Sequence, residues 1–121
     1  MKQYCLALDL KDDEGLIKEY EEYHTKVWPE ILQSIKTSGI EQMEIYRTGN
    51  RLFMIMQTKD DFSLEEKIKA DAYNEKVQEW ETLMWKYQQA LPGSKPGEKW
   101  VVMEKIFTSP QPLSEGEVTG R

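Results

Sequence analysis

The chain contains a single histidine, His24, whose neighbours make it a candidate for proton transfer. A neutral imidazole can accept or donate a proton near pH 7, which no other side chain with an ordinary pKa can do. Tyr20 lies four residues before His24 and Trp28 four residues after it, so on one helix the three side chains would share a face. A proton-transfer group between two aromatic rings suits a site for a small polyhydroxy ligand.

The same spacing also fits a structural role for His24. A histidine on the apolar stripe of a helix is often a core residue that hydrogen-bonds a backbone carbonyl. Against this interpretation, Tyr20 and Trp28 also carry polar groups that need partners when they are buried. A ligand-lined cavity would explain all three residues, and Tyr46 and Trp80 could then supply further stacking faces or donors.

Length, charge and hydropathy narrow the class of partner. The 121 residues suit one compact domain, and the net charge of −6 disfavours nucleic acid and anionic membranes, which select basic surfaces. No stretch approaches the roughly 18 apolar residues of a membrane span. We therefore expect neither nucleic acid nor membrane as a partner.

The lone cysteine, Cys5, allows no disulfide within the chain and favours a reducing, cytoplasmic location. The N-terminal residues 1–9 have one lysine and a short apolar run broken by Asp9, a poor signal peptide. One histidine and one cysteine disfavour a structural zinc site within one chain. The sequence therefore predicts no metal and no cofactor.

Alternation with a period of two predicts four strands. The first is 4–10, and the second and third, 42–46 and 52–58, flank Gly49-Asn50, a typical hairpin signal. The run 100–107 predicts the fourth.

Two helical regions separate these strands. Apolar residues from Leu16 to Ile35 recur at helical spacing, with a kink expected at 25–28 because Pro29 lacks an N–H and crowds the preceding turn. The second region begins at a capping box at Ser63, shows a break at 72–74, and continues as a helix from Val77 to Leu91.

The order β-α-β-β-α-β predicts an α+β, ferredoxin-like protomer with one antiparallel sheet and its helices on one face. The other face would be bare, so we expect a second copy to cover it in a homodimer. Residues 1–108 form the single domain in this interpretation, and the polar, Pro/Gly-rich residues 109–121 form a flexible tail.

A longer pattern resembles a known family. It comprises Tyr20-x-x-x-His24-x-x-x-Trp28-Pro29-Glu30, then Gly39-Ile40, Ile45-Tyr46, Leu52-Phe53 and Trp80-x-x-x-Met84. In order and spacing this is similar to the L-rhamnose mutarotase family from Tyr4 to about Phe107. The resemblance implies a dimeric α+β barrel that interconverts the anomers of a 6-deoxy sugar. It also implies that His24 is catalytic and that Tyr20 and Trp80 bind the sugar.

The chain departs from that family at two positions. Met43 stands where rhamnose enzymes can carry a tyrosine, and Glu81 where they can carry a second tryptophan. Both positions would line the sugar pocket; the alternative for Glu81 is a solvated position on the charged face of its helix. These departures suggest a pocket for a different hydroxyl pattern or sugar, and the resemblance to relatives of this kind implies L-fucose as a candidate.

The chemistry implied is ring opening of a hemiacetal, which needs an acceptor for the anomeric hydroxyl proton and a donor for the ring oxygen. We assign the first to His24 and the second to water or Tyr20, with Trp80 and Trp28 covering C–H faces and Glu81 and Tyr46 binding hydroxyls. Two alternatives remain open at this point. One is a cofactor-free oxygenase or haem-degrading barrel, and the other is a non-catalytic sugar-binding module.

Overall fold

The computed structural model describes residues 1–110, where nine elements form one antiparallel sheet with helices on one side. In chain order they are β1 (Lys2–Leu10), α1 (Glu14–Tyr23), α2 (Pro29–Thr37), β2 (Ile40–Thr48), β3 (Arg51–Thr58), α3 (Leu64–Ala72), α4 (Glu75–Trp85), β4 (Gln88–Gln89) and β5 (Val101–Val102). Residues 111–121, most of the predicted tail, lie outside the described part.

The sheet has β1 near its centre. Its strand order is β2-β3-β1-β4, and β5 pairs with the edge of β1 that β4 also uses. This is the predicted ferredoxin-like α+β arrangement, with the fourth strand divided into two short pieces. The predicted strand 100–107 is too long: the chain pairs at 101–102, Met103 donates to the Cys5 carbonyl at 2.7 Å, and the following residues leave the edge.

The predicted helix from Val77 to Leu91 is also too long, because α4 ends at Trp85. The Tyr87 N–H closes the last turn on the Met84 carbonyl, and the Tyr87 carbonyl accepts from Lys11. Gln88 and Gln89 then pair with the free edge of β1. Pairing with a distant strand therefore overrides a helical spacing that continues locally through Leu91.

The kink expected before Pro29 is a complete break between α1 and α2. The N–H groups of His24 and Thr25 close α1 on the carbonyls of Glu21 and Glu22 at 3.1 Å. Trp28 is extended (φ −56°, ψ 137°), as the residue before a proline tends to be, and Pro29 opens α2. The break frees the His24 side chain from a regular helical position.

Side-chain caps define the starts of α1, α3 and α4. Asp13 accepts from the Leu16 N–H at 3.0 Å, and Ser63 accepts from the Glu66 N–H at 3.2 Å, as its capping-box pattern predicts. Asn74 accepts from Val77 at 3.2 Å and separates α3 from α4 at the predicted break. No helix within residues 1–110 is long and apolar enough to cross a membrane.

Strand alternation divides the sheet into a helical face, which the helices cover, and an open face. The helical face carries the buried apolar side chains of β1 and β3, namely Leu6, Leu8, Leu10, Leu52, Met54 and Met56. Tyr20, Ile31, Val77, Trp80 and Met84 pack on them from α1, α2 and α4. The predicted functional residues of the helices therefore meet one side of the sheet.

Candidate active site

His24 lies at the C-terminal cap of α1, where its ring is held by the backbone. Its Nδ1 is 2.8 Å from the Tyr20 carbonyl oxygen. A carbonyl can only accept a hydrogen bond, so Nδ1 carries the proton and Nε2 keeps its lone pair. The ring is thus oriented as a proton acceptor through Nε2.

Burial also favours the neutral form of His24. Desolvation lowers the pKa of the imidazole below its ordinary value of 6.5, and the hydrogen bond to the Tyr20 carbonyl opposes that effect only in part. The ring is therefore uncharged at pH 7, as a general base must be before it accepts a proton.

Tyr20 is the nearest aromatic neighbour of His24, with ring centroids 4.3 Å apart. Its side chain is buried, and desolvation raises the pKa of the phenol to about 12, while a hydrogen bond with the Gln88 side chain opposes the rise. The phenol therefore stays protonated at physiological pH. A neutral acceptor and a protonated donor lie side by side.

Trp80 of α4 forms an aromatic wall next to this pair. Its ring lies 5.7 Å from that of His24 and 5.1 Å from that of Trp28, both edge-on. The predicted stack of Tyr20, His24 and Trp28 on one helix face is wrong, since Trp28 lies beyond the break at the start of α2. Trp28 instead supports Trp80 and is absent from the lining of the pocket.

An open pocket between the helices and the helical face of the sheet contains five of the seven predicted site residues, Tyr20, His24, Met43, Trp80 and Glu81. Met43 reaches it from β2, where it pairs with Met56 of β3. Glu81 lies one residue after Trp80 and is partly exposed, with its carboxylate 3.9 Å from the Lys99 ammonium. It therefore occupies the rim of the pocket rather than open solvent.

Tyr46 does not join the other predicted residues. It is 54% exposed, and its register opposite Phe53 places it on the open face, whereas its neighbour Ile45 faces the helices. The period of two already separates Met43 from Tyr46, three residues apart on one strand. An odd separation along a strand puts two side chains on opposite faces of the sheet, and this was the signal against placing Met43 and Tyr46 in one site.

Sequence reasoning missed Gln88, Lys99 and Trp100, all of which line the pocket. Gln88 fell within the helix predicted to run to Leu91, which hid the strand that turns it inward. Lys99 lies at the end of the loop before the predicted fourth strand, and Trp100 at the start of that strand. No motif marked any of the three residues.

The arrangement can move a proton between two nearby atoms of a neutral ligand. His24 Nε2 can accept a proton, the Tyr20 hydroxyl can donate a hydrogen bond, and Trp80 offers an apolar surface. Within residues 1–110, no cluster of three or more histidine, cysteine, aspartate or glutamate side chains is arranged to hold a metal ion. This set suits acid–base chemistry on a hydroxylated small molecule.

Comparison with known proteins agrees with this chemistry. The family model described as L-rhamnose mutarotase matches residues 3–109. The L-fucose mutarotase of Xanthomonas campestris is 44% identical over 116 residues, 94% of this chain and 93% of that protein. The L-rhamnose mutarotase of Phocaeicola vulgatus is 30% identical over 98 residues, 79% of this chain and 88% of that protein.

Solved structures extend the likeness to the fold. The crystal structure of an L-rhamnose mutarotase from Formosa agariphila superposes with a TM-score of 0.67 at 24% identity, covering 91% of this chain and all of that one. Tetracenomycin F2 cyclase from Streptomyces glaucescens shares the fold at a TM-score of 0.54 and 15% identity. From the family model and the two curated relatives together, the chain belongs to the L-rhamnose mutarotase family.

Proposed function

We propose that this sugar mutarotase, an isomerase of 6-deoxyhexose anomers, accepts L-fucose in preference to L-rhamnose. The observation that carries the reaction is the hydrogen bond from His24 Nδ1–H to the Tyr20 carbonyl, which leaves Nε2 as an acceptor beside a protonated phenol. The 44% identity to an L-fucose mutarotase, against 30% to an L-rhamnose mutarotase, supports the choice of sugar. The comparisons do not favour an oxygenase, a haem-degrading barrel or a non-catalytic module.

In the proposed mechanism, His24 Nε2 takes the proton of the anomeric hydroxyl. The electron pair of that O–H forms the C1 carbonyl, the bond from C1 to the ring oxygen breaks, and the ring oxygen is protonated by Tyr20 or by a water that it positions. Rotation about C1–C2 presents the other carbonyl face, and the reverse transfers close the ring as the second anomer. His24 and its partner return to their starting protonation states.

Sugar selection is assigned to the pocket wall opposite the base. Trp80 would cover an apolar C–H face of the pyranose. Met43 would contact the sugar without offering a hydroxyl, and the Glu81 carboxylate would accept hydrogen bonds from sugar hydroxyls. Lys99 forms an ion pair with that carboxylate, at 3.9 Å, at the pocket rim.

We also propose a homodimer that packs two open faces together. On this face, Cys5, Ala7, Phe53 and Ile55 form an apolar band. At one end the band is bordered by a row of glutamines, Gln3, Gln42 and Gln57. At the other end it is bordered by the ion pair of Asp9 and Arg51. An apolar centre with a polar rim is typical of an interface between protein chains.

The residues after β5 support the same assembly. Ile106 is 92% exposed and Phe107 76% exposed, although each side chain is large and apolar. Both follow Met103, where the chain leaves the edge of β1. Burial against a second copy would remove this surface from water.

We also propose a cytoplasmic location. Cys5, half-buried on the open face, is a free thiol, which suits a reducing compartment.

The proposed activity is tested by saturation-transfer NMR of anomer exchange. Wild-type protein is added to L-fucose, L-rhamnose, D-glucose and D-galactose, and the protein-dependent exchange rate is measured for each sugar. We expect the largest acceleration for L-fucose, a smaller one for L-rhamnose and little for the other two. No acceleration of any 6-deoxyhexose would contradict the function, and a higher rate with L-rhamnose would contradict the preference.

A further inference from the structure

The pocket extends beyond the residues assigned to the sugar. Its volume is about 1730 Å³, whereas sites for drug-sized ligands typically enclose roughly 300–1,000 Å³. One pyranose ring against His24 and Trp80 therefore fills only part of it. The lining also includes three polar side chains that the proposed mechanism does not use, Ser34 of α2 and Lys67 and Asp71 of α3.

Ser34, Lys67 and Asp71, here termed the α2–α3 cluster, are in mutual contact. The Lys67 ammonium donates to Asp71 Oδ2 at 2.8 Å, and the Ser34 hydroxyl donates to Asp71 Oδ1 at 3.4 Å. The side chains of Lys67 and Asp71 are only 14% and 17% exposed. An ammonium has three donors and a carboxylate about four acceptor positions. The cluster can therefore also bind hydroxyl groups, which both donate and accept.

The Lys67–Asp71 pair is oriented against the needs of its own helix. A helix is stabilised by an acidic residue four positions before a basic one, and by cations in its last turn. Glu65 and Lys69 of α3 have that order and are exposed to solvent. Lys67 and Asp71 have the reverse order, and their burial adds a cost of desolvation. The stability of α3 therefore does not account for this pair, whereas contact with a ligand in the pocket does.

The cluster lies further along α2 than the aromatic wall of the sugar site. Trp28, whose ring is 5.1 Å from that of Trp80, directly precedes α2, and Ser34 follows six residues later, roughly 9 Å along the helix axis. The Gln78 side chain, two residues before Trp80 on α4, donates to the Asp71 carbonyl at 2.9 Å. Two linked pyranose rings can cover this distance.

We propose that the α2–α3 cluster is a subsite for a second sugar ring, so that the protein accepts disaccharides that end in a reducing 6-deoxyhexose. The inference rests on the proposed function, because the reducing ring occupies the site of His24 and Trp80. Mutarotation needs a free anomeric hydroxyl, and a 6-deoxy sugar has no hydroxyl at C6. The second ring is therefore attached at O2, O3 or O4, and its hydroxyls donate to Asp71 and accept from Lys67.

The test measures anomer exchange of the reducing ring by saturation-transfer NMR. The substrates are L-fucose and three disaccharides in which a β-D-galactopyranosyl group is linked to O2, O3 or O4 of L-fucose. We expect the wild-type protein to exchange at least one disaccharide with a kcat/KM no lower than that for L-fucose. A lower kcat/KM for all three disaccharides than for L-fucose would overturn the inference.

Two variants locate the second ring. Lys67→Met keeps the length of the side chain without its charge, and Asp71→Asn keeps the shape of the carboxylate without its charge. Since each weakens a hydrogen bond to a charged group, we expect the ratio of kcat/KM for the best disaccharide to that for L-fucose to fall about tenfold, mainly through KM. Lys69→Met and Glu65→Gln, on the exposed side of the same helix, are the matched controls that should keep the wild-type ratio.

Thermal unfolding reports whether each variant is folded. A purely structural role would lower exchange of L-fucose and of the disaccharide alike, and this unchanged ratio in folded Lys67→Met and Asp71→Asn proteins would overturn the inference. If the wild-type protein accelerates exchange of L-fucose but of no disaccharide, only this inference fails. If it accelerates exchange of none of the four substrates, the proposed function fails as well.

Discussion

The two faces of the sheet are built by the same strands yet have different chemistry. The helical face combines aliphatic residues with two buried side chains that carry polar groups, Tyr20 and Gln88. The open face has an apolar band between polar rows, and the pocket that contains His24 lies on the helical side. A helix layer can enclose a small ligand, whereas a bare face suits a flat partner.

The sharpest test of this difference compares His24, on the helical side of the sheet, with Tyr46, on the open face. We expect His24→Ala to reduce protein-dependent anomer exchange by roughly 10²- to 10⁴-fold, because general acid–base catalysis typically contributes that factor. Tyr46→Phe, which removes an exposed hydroxyl on the open face, should leave the activity of the same oligomer unchanged. Both are measured by saturation-transfer NMR on protein whose circular dichroism is native; wild-type exchange in His24→Ala would refute the assignment.

A charge on the open face should break the assembly. Ile55→Glu places a carboxylate opposite Glu44 and Cys5 in the apolar band, so a packed interface would have to bury it unpaired. We expect light scattering to give a dimer mass for the wild type and a monomer mass for the variant across the micromolar range. Gln33→Glu, at an exposed position of α2 on the helical side of the molecule, is the control that should stay dimeric. A wild-type mass that remains monomeric at every concentration contradicts the dimer.

Changes to the pocket wall should alter the choice of sugar rather than the reaction. The double substitution Met43→Tyr with Glu81→Trp adds a hydroxyl and replaces a carboxylate with a ring, and an unpaired polar group in a site costs ~1–3 kcal/mol. We expect the ratio of exchange rates to shift about tenfold toward L-rhamnose. The exchange rates for L-fucose and L-rhamnose are measured in the wild type and in the double variant. An unchanged ratio of the two rates would mean that neither residue contacts the sugar.

The smallest expected effect is the pH dependence of His24. Its pKa is lowered in the folded protein, so the unfolded chain binds the proton first as the pH falls below about 6.5. The free energy of unfolding should therefore decrease in that range, and His24→Gln should remove this part of the decrease. Catalysed exchange should likewise stay level from pH 7.5 to 6.5 and fall only below it. Urea titrations at pH 7 and pH 5 measure the free energy of unfolding of both proteins. An equal decrease in that free energy between the two pH values in wild type and His24→Gln would contradict the lowered pKa.

The sequence predicts the helical face better than the sites on it. Alternation places β1, β2 and β3 correctly because each strand turns one side towards the core, and Pro29 marks the break between α1 and α2. Gln88 escapes such reasoning because its neighbours continue a helical spacing, while the partner that overrides it, Leu10, lies 78 positions earlier in the sequence. The pairing of distant chain segments leaves no local trace.

The five residues from Tyr20 to His24 contain both groups that we propose to transfer protons. Tyr20 contributes twice, since its backbone carbonyl fixes the histidine tautomer and its side chain supplies the phenol. Sugar contacts are proposed for other segments, on β2 and α4. Under this proposal the reaction and the choice of sugar depend on separate segments of the chain, so that substitutions on β2 or α4 would change the sugar without altering the groups that transfer the proton.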